Sequence, residues 1–100
     1  MMRLIDQPTG TGDVYENGQF RGPVHYSLNV YQQYDERQDQ VVAGAQHIEG
    51  RLTAARTTDF FDLWSRGAEL VLKMSDGRTL TFQLRDDRGT IILNSSLTTP

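Results

Sequence analysis

The chain has 100 residues, of which 37% are hydrophobic, 23% are charged and three are prolines, a composition typical of one globular domain spanning residues 1–100. It contains no cysteine, which excludes disulfides, thiolate metal sites and a cysteine nucleophile. Thirteen acidic and ten basic residues give a net charge of −3, and the basic residues are scattered singly, so a nucleic-acid partner is disfavoured.

Neither a signal peptide nor a membrane span is predicted, because no stretch has the apolar length that either one needs. We therefore expect a soluble protein of the cytoplasm that has no membrane partner. Residues 1–12 and the polar segment 94–100 are expected to be loosely ordered ends.

A hairpin and then a long strand are predicted over residues 14–34. Asn17-Gly18 stands between apolar residues, which is the strongest short signal for a two-residue turn, and Gly22-Pro23 indicates a bend. From residue 23 to residue 34, apolar and polar residues alternate as in a half-buried strand. The residues expected in the core are Phe20, Val24, Tyr26, Leu28, Val30 and Tyr34; those expected on the opposite face are His25, Ser27, Asn29, Tyr31 and Gln33.

A second long strand is predicted over residues 42–54, after a charged connection at 35–40. The alternating positions expected to face the core are those of Val42, Ile48, Leu52 and Ala54. The positions expected on the opposite face are those of His47, Glu49, Arg51 and Thr53. Gly44 and Gly50 fall on the apolar face, where a missing side chain lets a sheet bend sharply or another backbone come close.

The alternation stops at residues 57–67, which predict one short helix near residues 59–66. Thr58 or Asp59 can cap its beginning, and Gly67 suits the position just past its end. Because Phe60, Leu63 and Trp64 have helical spacing, we expect the helix to plug one end of the sheet with Phe60 and Trp64.

Residues 69–84 predict a second hairpin, whose turn follows from the alternation. A two-residue loop at 76–77 would place the apolar residues of the two arms on opposite sides of the sheet. A three-residue loop at 75–77 pairs Leu72 with Leu80, so that both arms face the core. We therefore predict a type I turn with Gly77 in the left-handed region.

With a last short strand at residues 90–93, these elements predict a mainly β protein. The expected fold is a small antiparallel β-barrel or strongly coiled sheet of about six to seven strands with one short helix. Long strands that carry glycines on their inner face favour the barrel, because such strands can coil until the sheet closes.

The polar face of the two long strands holds the candidate site residues. The apolar residues of both strands must face the same core. If the two strands pair directly, His25 then lies opposite Glu49 or Arg51, and His25, His47 and Glu49 lie on one polar face. Two histidines and a carboxylate can ligate Zn²⁺ or Fe²⁺, or can supply acid and base groups. The alternative is the ordinary solvated side of a two-stranded ribbon.

The segment DLWSRGAEL, residues 62–70, resembles the Asp/Asn-x-Ser-x-x-Gly stretch of PilZ domains, which are small β-barrels that bind cyclic di-GMP. Asp62 and Gly67 have the required spacing, but Trp64 stands where the family has serine. The family's upstream pair of arginines, separated by three residues, is not matched either. A helix end with its glycine cap explains the same residues, so no family is assigned.

The order of three strands and then a helix is also similar to that of an OB fold. That resemblance implies an oligonucleotide or oligosaccharide on the outer barrel face, with Tyr31 as a stacking residue. The acidic net charge weakens the nucleic-acid version.

The leading interpretation is a non-enzymatic binding module that contacts a protein partner or a small ligand through the polar strand face: His25, Tyr31, His47, Glu49 and Arg51. The rival interpretation is a small metal-dependent or acid/base enzyme that uses His25, His47 and Glu49; no cofactor is predicted apart from that divalent metal. A cavity closed by Phe60 and Trp64 would favour a small ligand, whereas a filled interior would favour surface contacts. An exposed edge strand would also permit a homodimer by strand addition.

Overall fold

The computed structural model describes residues 2–37, 40–55, 58–93 and 97–98. The elements are β1 (Met2–Asp6), β2 (Thr9–Glu16), β3 (Gln19–Arg37), β4 (Gln40–Ala54), α1 (Phe60–Ser65), β5 (Leu70–Lys73), β6 (Thr79–Phe82) and β7 (Thr90–Leu93). The seven strands form one antiparallel sheet in the order β6-β5-β2-β3-β4-β7, with β1 paired to β3. This sheet is a nearly closed barrel, which confirms the predicted fold class.

The two ends of the strand order meet where Thr98, beyond β7, lies beside Thr79 at the start of β6. Each residue donates its backbone N–H to the carbonyl oxygen of the other at 2.9 Å. Because the backbone groups of Thr79 and Thr98 are paired with each other, the edge of β6 is covered there, and the contact helps to close the sheet on itself.

The inside of the barrel is filled by the apolar positions of the alternating strands. The most deeply buried side chains are Val14, Val24, Leu28, Ile48, Leu52, Leu70, Leu72, Leu80 and Ile91. Tyr26 and Phe82 are buried with them, as the alternation predicts. A filled interior is the arrangement expected of a small barrel, since about eight strands leave just enough space for side chains.

Both hairpin turns have the predicted geometry. Asn17 and Gly18 adopt φ of 51° and 80°, the positive values that a type I′ turn requires. Gly77 has φ of 92°, and the Met74 N–H donates to the carbonyl oxygen of Arg78 at 2.8 Å, so the loop has three residues. The register of β5 and β6 therefore pairs Leu72 with Leu80, as predicted.

Helix α1 is close to its predicted position, but only part of the predicted plug is correct. The Asp59 carboxylate accepts a hydrogen bond from the Asp62 N–H at 3.1 Å, and Gly67 follows the helix with φ of 61°. Phe60 and Leu63 are buried, whereas Trp64 is exposed. The side of the helix that packs on the barrel is centred between Phe60 and Leu63, and Trp64 lies beside it. The Trp64 ring contacts the edge of the Phe61 ring, with 5.9 Å between the centroids.

Two predicted core aromatics lie outside the core. A register shift after Val14 pairs Phe20 with Tyr15 on the outer side of the sheet, where their rings are 5.7 Å apart and Phe20 is exposed. Tyr34 is only half-buried, because β3 has by then passed the strands that close the barrel. The Arg3 guanidinium lies over its ring, 5.9 Å from the centroid.

The strands are longer than the sequence pattern indicates. Residues expected in a loose end form β1 and the first half of β2, because β1 pairs with the part of β3 that lies past β2. β3 and β4 also continue through most of the predicted connection, so that Arg37 pairs with Gln40. The register of β3 against β4 shifts between Gln32 and Tyr34, and beyond the shift Val42 pairs with Asp35. The alternation counted back from Ile48 is therefore interrupted before it reaches Val42, so the prediction that Val42 and Ile48 share one face is wrong. Residues 94–96 and 99–100 lie outside the described residues.

Candidate functional site

The predicted site residues all lie on the outer side of the β3 and β4 ribbon, opposite the core. The register pairs Tyr31 with His47, Asn29 with Glu49 and Ser27 with Arg51. The Tyr31 and His47 rings are 6.1 Å apart between centroids and tilted by 42°. Tyr31, His47 and Glu49 therefore form one cluster, and Arg51 lies further along the same face of β4.

His47 and Glu49 contact each other along β4. His47 Nε2 lies 2.8 Å from Glu49 Oε1, a distance that two side chains on the same face of a strand reach easily. The carboxylate fixes the orientation of the imidazole. The pair therefore holds one aromatic, one imidazole and one carboxylate in a defined arrangement.

His25 does not join this cluster. It pairs with Thr53, six residues along β4 from His47, which corresponds to a separation of about 20 Å. Its Nδ1 atom instead lies 3.2 Å from Thr11 Oγ1 on β2. The expectation that His25 lies opposite Glu49 or Arg51 is therefore wrong, because parity permits several registers and the chain adopts a different one.

A metal centre of His25, His47 and Glu49 is not assembled in this arrangement. Within the described ranges, no group of three or more histidine, aspartate or glutamate side chains is placed to hold a metal ion. His47 with Glu49 supplies two of the three proposed ligands, and both groups already engage each other at 2.8 Å.

Exposed aliphatic residues flank the cluster on two sides. Leu4 of β1 pairs with Tyr31, so that Leu4, Tyr31 and His47 form one row across three strands. Ile92 of β7 pairs with Glu49 on the opposite side. Leu4 is 46% exposed and Ile92 is 43% exposed. The sequence pattern gave no indication of either residue as part of the site, because their contribution depends on which strands pair with β3 and β4.

A second charged cluster, also not predicted, joins α1 to the first hairpin. Arg66 donates to both carboxylate oxygens of Glu16 at 2.8 and 2.9 Å, and Arg21 Nε donates to Glu16 Oε1 at 3.0 Å. The hydrogen bonds from Arg66, with the charges of Arg66 and Arg21, hold the pKa of Glu16 below its ordinary value. Because the carboxylate is nearly buried and engaged by both arginines, this cluster is structural.

Comparisons with known proteins add no assignment: no protein-family model matches the chain, and no curated protein and no solved structure is significantly similar to it. None of the helices within the described ranges has the length and apolar character needed to cross a membrane.

Proposed function

We propose that the protein is a non-enzymatic interaction module that contacts a different protein through a binding face made of Tyr31, His47, Glu49 and Arg51 with the flanking Leu4 and Ile92. The observation that carries the proposal is the row of Leu4, Tyr31 and His47, which combines an exposed aliphatic, an aromatic and an imidazole held by Glu49. His25, which lies apart from this row, is not included.

The chemistry of the binding face is typical of protein interfaces. Tyrosine and arginine are enriched where proteins meet, because each combines a large contact area with hydrogen-bonding groups. Tyr31 packs beside His47, and Glu49 fixes His47, so these side chains lose little conformational freedom when a partner covers them. Leu4 and Ile92 widen the apolar area on both sides of the polar centre.

The shape of the barrel favours a macromolecular partner over a small ligand. Small ligands bind in concave pockets that bury most of their surface. The barrel interior is instead filled by residues such as Leu28, Leu52 and Leu72, and the binding face lies on the outside of the sheet. A surface of this kind is suited to contacts spread over several side chains.

Site-specific photo-crosslinking tests the proposal in the cells from which the protein comes. A photoreactive phenylalanine analogue replaces Ile92, which lies beside Glu49 and on the side of the binding face away from β1. We expect one discrete adduct with a different protein. The adduct should be lost when Glu49→Lys is added, because the substitution reverses the charge at the centre of the face.

Lys73 on β5 is the matched control position, since it is exposed and β5 is separated from β4 by β2 and β3 in the sheet order. The same analogue at Lys73 should not give the Ile92 adduct. The proposal is overturned if Ile92 gives no protein adduct, if both positions give the same adducts, or if Glu49→Lys leaves the Ile92 adduct unchanged.

A further inference from the structure

One edge of β1 has no strand beside it in the part of the chain that the structure describes. β1 pairs with residues 30–33 of β3 along one edge, whereas β2 continues along the same edge of β3 and pairs onward with β5. A free edge presents a row of backbone N–H and C=O groups, which bind another extended strand readily.

β1 also lacks most of the features that protect edge strands from pairing. It contains no proline or lysine, and Met2, Leu4 and Ile5 are 51%, 46% and 46% exposed. Its one basic residue, Arg3, lies over the Tyr34 ring of its own chain instead of guarding the edge. A register shift after Leu4 is the single irregularity in its pairing with β3. Such an edge is expected to be covered by a partner strand.

The composition of β1 favours a second copy of itself as that partner. In an antiparallel pair about a two-fold axis through Leu4, Arg3 of one β1 lies opposite Ile5 of the other, and Met2 lies opposite Asp6, whose carboxylate is already bound by Arg78 at 2.8 Å. A pair centred on Arg3 would oppose two guanidinium groups, whereas a pair centred on Leu4 opposes two leucines. Centring on Leu4 therefore places an apolar contact on the axis and keeps the two Arg3 guanidinium groups apart.

The same centring continues the row that crosses the binding face. Leu4 pairs with Tyr31 within one copy, so the joined sheets would present Tyr31, Leu4, then Leu4 and Tyr31 of the second copy in one row. Cross-strand pairs of this kind stabilise antiparallel sheets. We infer that the protein forms a two-fold symmetric dimer in which the β1 edges of two copies pair in antiparallel fashion about Leu4.

This inference goes beyond the proposed function, because it concerns a second copy of the chain, whereas the binding face is proposed to contact a different protein. Leu4 belongs to both surfaces, and the other residues of the binding face lie on β3, β4 and β7. A contact between two five-residue strands is small beside a standard interface of about 1,600 Å². The dimer is therefore weak, and it must be measured up to high protein concentration.

Sedimentation velocity of the full chain, from micromolar to millimolar concentration, tests the inference. We expect the sedimentation coefficient of the wild type to rise from the monomer value toward the dimer value. Leu4→Lys should raise the dimer dissociation constant by about tenfold or more, because two lysines would oppose each other at the two-fold axis. Circular dichroism checks that each variant keeps the wild-type fold.

Ile92→Lys is the matched control, since Ile92 is a similarly exposed aliphatic on the same outer side of the sheet but lies on β7. It should dimerise like the wild type. Mixing the Leu4→Lys and Leu4→Glu variants should restore association, because opposite charges then meet at the axis. A wild type that stays monomeric, a Leu4→Lys variant that dimerises normally, an Ile92→Lys variant that loses the dimer, or a mixture that does not associate each overturns the inference.

Discussion

The molecule has two regions, the barrel body and an extension beyond it. Both are built from strands in which apolar and polar residues alternate, but other elements cover the strands of the body more fully than those of the extension. The extension consists of β1 with residues 31–37 of β3 and 40–46 of β4, which run on past the strands that close the barrel. The resulting molecule is elongated, with principal dimensions of 51 × 26 × 20 Å. In the body, opposite strands and α1 cover the inner face, whereas the extension keeps Met2, Leu4 and Ile5 about half exposed.

The change from body to extension is visible at the inner positions of β3. Val30 is a core residue, but the next inner position is Gln32, whose amide Nε2 donates to the carbonyl oxygen of Gly44 at 2.6 Å. Gln46 Nε2 donates in turn to Gln32 Oε1 at 3.0 Å. Side-chain hydrogen bonds thus replace apolar packing where the register of β3 and β4 shifts. Folding explains the apolar residues of the body, whereas the exposed apolar residues of the extension are those used in the partner contacts proposed above.

The largest expected difference between the two regions concerns their leucines. Leu72→Ala removes a fully buried side chain from the barrel and should lower the free energy of unfolding by about 2–5 kcal/mol. Leu4→Ala removes a half-exposed side chain from the extension and should cost less than about 1 kcal/mol. Urea unfolding at low protein concentration measures both values. Equal losses would show that the extension packs as tightly as the body.

The body could be predicted well from the sequence because its structure follows from local rules. Strict alternation fixes which face of a strand is buried, and the requirement that both arms of β5 and β6 face one core selects the three-residue turn with Gly77. The Asp59 cap and Gly67 end of α1 are equally local. None of these features depends on a distant part of the chain.

The candidate site could be predicted only in part because its composition depends on register and strand order. The alternation of apolar and polar residues places His25 and His47 on one face of the sheet. It is equally compatible with registers of β3 against β4 that differ by two residues, so the distance between the two histidines could not be predicted. The pairing of Leu4 with Tyr31 requires knowing that β1 lies beside β3. The contact between Arg66 and Glu16 likewise joins residues 50 positions apart.

A smaller difference is expected at the glycines of β4. A Cβ atom at Gly50 would lie 2.8 Å from the Cα atom of Leu28 and against the carbonyl oxygen of Ser27, so Gly50→Ala should cost about 1–3 kcal/mol. At Gly44, in the extension, the nearest atom would be Asp35 Oδ2 at 3.4 Å, an ordinary contact. Gly44→Ala should therefore change stability by less than about 0.5 kcal/mol.

Thermal unfolding of the two glycine variants makes this comparison directly. A Gly50→Ala variant as stable as the wild type would mean that β3 and β4 can separate slightly inside the barrel. A Gly44→Ala variant that loses as much stability as Gly50→Ala would mean that the extension has no more freedom to adjust than the body.

The smallest expected difference concerns two glutamates that each contact a basic side chain at 2.8 Å. Glu16 is nearly buried against Arg66 at the end of the body, whereas Glu49 is exposed beside His47. Because both arginines bound to Glu16 are partly exposed and can be hydrated, Glu16→Gln should cost less than Leu72→Ala. Glu49→Gln is the matched control, and it should leave stability nearly unchanged because exposed ion pairs contribute little.

The pH dependence of stability distinguishes the two glutamates further. The hydrogen bonds from Arg66 hold the pKa of Glu16 in the folded protein below its ordinary value, so the ionised carboxylate stabilises the fold at neutral pH. This contribution is complete above the pKa of the unfolded chain and is lost as the pH falls through the lower pKa of the folded state. Between about pH 7 and about pH 3, the wild type and Glu49→Gln should therefore lose more stability than Glu16→Gln. Urea midpoints across that range measure the effect, and parallel curves for all three proteins would show that the Glu16 ion pair contributes no pH-dependent stability to the barrel.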